Sequence, residues 1–167
     1  MNTTSRPVLA FRWLTFVLAL GYSIYQLGTG DWAAPGGPLR YLTIWALLFS
    51  TLSAAGMLLL SLGRTQRSFQ VIAMTASVFN VMVVFLYWKL FFIDPKLVNN
   101  NGDIVWHQQY YLHAVGPALQ LCDAVFISRV YPRVWRGAVA LWVLVPCYVM
   151  WAELFVQRFN AVPLGKV

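Results

Sequence analysis

Five long apolar runs, separated by short polar clusters, make up most of the chain. In each run the hydrophobic positions are continuous over about 20 residues, which suits a bilayer-crossing α-helix; a barrel strand would need about 10 alternating ones. The runs predict spans over roughly 8–27, 41–62, 69–93, 108–128 and 137–156. Residues 28–38 are dense in glycine and proline and read as a loop. Residues 63–67 and 129–136 are short basic turns, and 94–103 form a loop holding Asp94 and Asp103. No internal repeat interrupts this plan. The expected fold is all-α, a polytopic transmembrane helical bundle of five spans forming one domain over 1–167.

Composition agrees with the pattern. Apolar residues are 60% of the chain and charged residues 10%, against about 25% charged in a soluble domain. The mean hydropathy is +0.65. A bilayer admits only helices or closed barrels, because every backbone polar group must be satisfied internally. Residues 1–6 are too short for a cleaved leader, so the first run is read as mature structure. Cys122 and Cys147 fall inside spans without metal-ligand spacing, and are expected to pack as small hydrophobes.

The net charge of +7 adds orientation. Its basic residues sit at the ends of apolar runs, so they point to membrane topology and not to nucleic acid. Alternating spans place Arg6, Arg12, Arg64, Arg67, Arg129, Arg133 and Arg136 on one face. Arg40, Lys96, Arg158 and Lys166 fall on the other, with Asp31, Asp94 and Asp103. The basic excess marks the cytoplasmic side, which puts the N-terminus inside and the C-terminus outside. Arg12, near the start of its span, is expected to snorkel to the headgroups.

The stretch from Trp106 to Asp123 carries the candidate chemistry. It opens the fourth span with His113 about one to two turns in. An ionisable side chain at that depth is a functional-site hypothesis. Pro117 follows one turn later and has no N–H, so the carbonyl of His113 loses its intrahelical donor. Thr43 lies about one turn into the second span, at a depth within a few ångströms of His113 on a rise of about 1.5 Å per residue. Glu153 and Trp88 fall near the same surface, the non-cytoplasmic one. A hydroxyl beside a neutral imidazole is the minimum for an activated nucleophile. A lipid ester could present its carbonyl at that depth while its chains stay in the bilayer.

Each of these residues also has a plainer reading. A transmembrane threonine commonly bonds the carbonyl four residues back. His113 could bridge helices, Glu153 could pair with an arginine, and Asn80 could join helices. Trp88, Trp106, Tyr110 and Tyr111 could form an interfacial aromatic belt. His107 is expected in the solvated loop. Asp123, ten residues beyond His113, lies about 15 Å farther along the axis and is a poor third member.

Several segments together resemble the androgen-induced gene family, which has bacterial relatives. They are Tyr41-Leu42-Thr43, Phe85-Leu86-Tyr87-Trp88, Asp94-Pro95-Lys96-Leu97-Val98, His113 with Pro117, and Tyr148-Val149-Met150-Trp151 followed by Val162-Pro163-Leu164. The resemblance runs from about residue 8 to 164. It implies a multi-span membrane hydrolase acting on fatty acid esters of hydroxy fatty acids, with a threonine nucleophile and a histidine. Those two roles fall on Thr43 and His113. Gln109 stands in the region where animal members carry a second histidine.

The reading from sequence is therefore an integral-membrane hydrolase of lipid esters. Thr43 and His113 are catalytic, and Asn80, Trp88 and Glu153 are candidates to line the substrate. No metal or cofactor is expected, for no cluster has metal-ligand spacing. The rival is a non-catalytic membrane protein, such as a small proton-linked transporter or a lipid-binding module.

Overall fold

A computed structural model describes residues 5–65, 69–98, 105–129, 134–151 and 153–154. Five helical rods run through them. They are α1 (Arg6–Thr29), α2 (Leu42–Ser61), α3 (Gln70–Ile93), α4 (106–127) and α5 (Val134–Trp151). Proline sits in the first turn of α1, where its missing N–H costs nothing. α3 stops at Asp94, just before Pro95, as the steric restriction on a pre-proline residue requires. α2 packs along both α1 and α3, α4 leans on α3 and α1, and α5 lies against α3.

Among the described residues, α1, α2 and α3 are the regular helices long and apolar enough to cross a bilayer. α4 is continuous but changes pitch: α over Trp106–Tyr110, π over Tyr111–Val115, α over Gly116–Cys122, π over Asp123–Ile127. α5 carries Pro146 inside it, and its apolar stretch is Trp142–Trp151. The expected end of the fifth span at 156 lies outside the described residues. So do Arg67, Arg133, Arg158, Lys166, Asp103 and the Val162-Pro163-Leu164 segment, and nothing is described of the Arg136 side chain.

The helices carry large apolar side chains outward and bury apolar, small and polar residues together. α1 buries Val8, Arg12, Thr15, Ala19 and Ser23, one stripe at three- and four-residue spacing. Its Trp13, Leu14, Val17, Ile24 and Tyr25 are exposed. In lipid no hydrophobic force draws helices together, so small and hydrogen-bonding residues form the contacts. α2 buries a face of small residues, Ser50, Ser53, Ala54 and Gly56. At Gly56 an added Cβ would lie 2.3 Å from the Phe69 ring. Polar bonds then tie the rods: Ser23 to Thr51 at 2.8 Å, Asn80 to Ser50 at 2.8 Å, and Gln120 to Ser53 at 2.7 Å.

Two expectations are corrected. Arg12 does not snorkel; it is 2% exposed and ion-paired with Asp123 at 2.8 Å. Its guanidinium also donates to the Met57 carbonyl, Ser61 and Ser128, and Ser128 in turn bonds Asp123. A neutral, fully hydrogen-bonded pair is tolerated where a lone charge would not be. Cys122 and Cys147 are exposed on the bundle surface, not packed inside it.

Candidate functional site

α2 begins at Leu42, directly after a 3₁₀ turn over Gly37–Arg40, so Thr43 sits in its first turn. That turn approaches the start of α4. Thr43 Oγ1 lies 3.4 Å from His113 Nε2, joining residues 70 apart in sequence. This is the long end of the hydrogen-bond range, as is common for a nucleophile and its base without substrate. The pairing sets Thr43 apart from the other buried hydroxyls. Thr15, Ser23, Ser50 and Ser77 each donate to the carbonyl four residues back. Four residues before Thr43 is Leu39, whose carbonyl accepts the Trp45 indole N–H at 2.8 Å.

The imidazole is held on three sides. His113 Nδ1 lies 3.1 Å from the Gln109 carbonyl oxygen. A carbonyl can only accept, so Nδ1 bears the proton and Nε2 of the neutral ring is the acceptor facing Thr43. Tyr87 stacks on the ring, with centroids 3.6 Å apart and planes within 9°. The backbone is fixed as well: Trp88 donates its indole N–H to the His113 carbonyl at 2.9 Å. In regular α-helical pairing that carbonyl would face residue 117, a proline with no N–H.

His113 lies in the middle of the first π turn, and Asp123 opens the second. Single π turns inside α-helices recur at functional sites, where they re-aim side chains. His113 and Asp123 thus coincide with the two irregularities of α4, at separate levels of the bundle. Asp123 is engaged by Arg12 and takes no part in orienting His113.

Thr43 and His113 line a cavity of about 720 Å³. Its polar lining comes from α1 (Gln26, Thr29), from Arg40 before α2, and from the start of α4 (Gln108, Gln109). Its apolar lining includes Val83, Leu86 and Leu90 of α3, with Leu97 and Val98 beyond it. Such a mix suits an amphipathic ligand with an alkyl chain. Among the described residues no cluster of His, Cys, Asp or Glu could hold a metal ion.

The other candidates fall elsewhere. Trp88 is outside the cavity lining and braces the His113 backbone. Asn80 is buried, bonded to Ser50, and shares only a small void of about 10 Å³ with Thr43. Glu153 is exposed and outside the lining. His107 is exposed, but it lies in the opening turn of α4 and not in the loop, and Trp106 and Tyr110 are exposed and stacked on each other. Tyr111 is buried and stacks on Tyr22, with centroids 3.8 Å apart, so it is not a belt residue. No side-chain pattern marked the Gln109 carbonyl as the group that orients the base. The loss of a helical donor at Pro117 could have prompted a search for its replacement, and an indole one span away was available.

The chain's residues 6–163 match the sequence model of a family described as FAR-17a/AIG1-like protein. No curated protein and no solved structure matches it.

Proposed function

The chain belongs to the FAR-17a/AIG1-like family, and from that premise we propose that it is an intramembrane hydrolase of lipid esters, with Thr43 as nucleophile and His113 as base. The observation that carries this reading is the Thr43 hydroxyl directed at an unprotonated ring nitrogen, on the wall of a cavity large enough for an acyl chain. As Thr43 Oγ1 attacks the ester carbonyl, its proton passes to His113 Nε2. The tetrahedral intermediate collapses, the C–O bond to the alcohol breaks, and Nε2–H protonates the departing oxygen. Water, losing its proton to Nε2, then attacks the acyl-threonine ester. Collapse returns that proton to Oγ1 and releases the carboxylic acid. The first turn of α2 has no side-chain cap at Tyr41. Helix geometry gives the Thr43 N–H no intrahelical acceptor, and a developing oxyanion calls for such a donor.

The substrate class proposed is the fatty acid esters of hydroxy fatty acids, or esters close to them. The cavity's joint polar and apolar lining supports it. In the same proposal all five helices cross the bilayer, the N-terminus is cytoplasmic, and the cavity opens at the non-cytoplasmic leaflet. The basic clusters at Arg6, Arg64 and Arg129 support that orientation.

A fluorophosphonate probe tests the reading on detergent-purified protein. Labelling of the parent that is lost in Thr43→Ala and His113→Ala, with all proteins monodisperse, is the expected result. No labelling, together with proton-coupled uptake in liposomes, would assign the protein to transport instead.

A further inference from the structure

Arg40 is the cation of the cavity that holds Thr43 and His113. It is half-buried, and among the described residues the ion pair is Arg12 with Asp123, not one made by Arg40. Two acids of the loops, Asp31 and Asp94, are engaged locally. The Asp31 carboxylate accepts from the N–H groups of Ala33 and Ala34, and Asp94 accepts from that of Lys96. A half-buried guanidinium on a cavity wall is a ready partner for an anionic oxygen.

Resting on the hydrolase reading above, we propose that Arg40 binds a carboxylate carried by the substrate, so that the cavity selects esters bearing a free acid. The side chain is pre-set for this. Its Nη2 donates to the Tyr41 hydroxyl at 2.7 Å, and its Cζ stands 4.7 Å over the Tyr41 ring. Its backbone is fixed too, because the Tyr148 hydroxyl donates to the Arg40 carbonyl at 3.0 Å. A guanidinium has five N–H donors in a planar fork that matches the two oxygens of a carboxylate. The Tyr41 bond uses one of them, so the fork can still close on a ligand.

Placement gives the inference its specificity. Arg40 precedes the nucleophile by three residues, and the chain between them spans at most about 11 Å from Cα to Cα. An acid on Arg40 and an ester carbonyl at Thr43 thus belong to one molecule of moderate length. Its alkyl portions have the apolar wall of Val83, Leu86 and Leu90 to lie on. Gln26 and Gln108 complete the polar part of the lining. A phosphate of a lipid headgroup offers the same chemistry to an arginine at this depth, and the experiment separates the two sources.

The full chain is placed in nanodiscs of phosphatidylcholine, with and without added phosphatidylglycerol. Two substrates are compared, an ester of a hydroxy fatty acid with its free carboxylate and the same ester with a primary carboxamide in its place. The parent should favour the acid in kcat/KM by about tenfold or more, the value of a charge-assisted bond. In Arg40→Gln that preference should fall toward one, through a higher KM for the acid, and Arg40→Lys should keep part of it. An Arg40→Gln protein with the parental preference overturns the proposal. So does one whose only change is a lost response to anionic phosphatidylglycerol in the nanodisc, which would assign Arg40 to a headgroup. Binding of the non-hydrolysable ether analogue, with its free carboxylate, is measured alongside. It should weaken about tenfold in Arg40→Gln, and equal affinity overturns the proposal. That arm reads Arg40 even if neither ester is turned over, an outcome that would reject the hydrolase reading by itself.

Discussion

The indole N–H of Trp88 and the backbone carbonyl of His113 are 2.9 Å apart, so α3 supplies a donor to the carbonyl that α-helical pairing would set against Pro117, which has no N–H. The bond fixes the main chain that carries the imidazole. Removing the donor strands a buried carbonyl, at a cost of about 1–3 kcal/mol. Trp88→Phe should therefore lower kcat about tenfold, with KM for the ester changed less, because the base is displaced while the cavity wall stays intact. Pro117→Ala returns an N–H to the helix and should recover part of the loss in the Trp88→Phe background. Kinetics of the two single variants and the double variant check this; strictly additive losses would refute it.

The hydroxyl, and not the bulk, of residue 43 is what the dyad needs. Thr43→Ser keeps a hydroxyl near His113 Nε2 and should retain activity within about tenfold, whereas Thr43→Val, equal in shape, should lose about 10³-fold or more. Thermal unfolding of both should match the parent within about 1 kcal/mol. An active Thr43→Val would remove threonine from the mechanism.

The ring face is a separate element. Tyr87 lies parallel to the imidazole at 3.6 Å, a contact worth about 0.5–1.5 kcal/mol. Tyr87→Leu should reduce kcat about 3–10-fold by loosening the ring. Tyr87→Phe, which keeps the face, should stay near the parent. Steady-state rates of the two variants decide it.

The spans were legible because the bilayer imposes one long apolar run per helix, and α1, α2 and α3 begin and end within about two residues of the runs that announced them. The depth argument that paired Thr43 with His113 rested on helical rise alone, and the two side chains do meet. Partners chosen by packing were not legible. Glu153 shared a depth with His113 but not a face, while the orienting group is a backbone carbonyl, which every residue has. The π turns were hidden for a related reason: Pro117 marks a disturbance, yet whether the helix kinks, widens or borrows a donor depends on its neighbour. Arg12 was misread because positive charge near a helix end satisfies topology rules equally well from inside the bundle, provided that an acid waits there.

That acid gives the last prediction. Arg12 and Asp123 bring α1 and α4 together, and Ser61 of α2 completes the cluster. Breaking the pair from either side leaves an uncompensated charge in a low-dielectric interior, at about 3–5 kcal/mol. Arg12→Met and Asp123→Leu should each show that loss in unfolding from detergent micelles. The double variant Arg12→Met/Asp123→Leu removes both charges and fills the space with apolar atoms, so it should stand much closer to the parent. Because Asp123 does not touch the Thr43–His113 pair, the double variant should also hydrolyse ester at close to the parental rate once folded. A double variant as unstable as the sum of the singles would mean that the hydrogen bonds to Met57, Ser61 and Ser128 carry the joint, and not the ion pair.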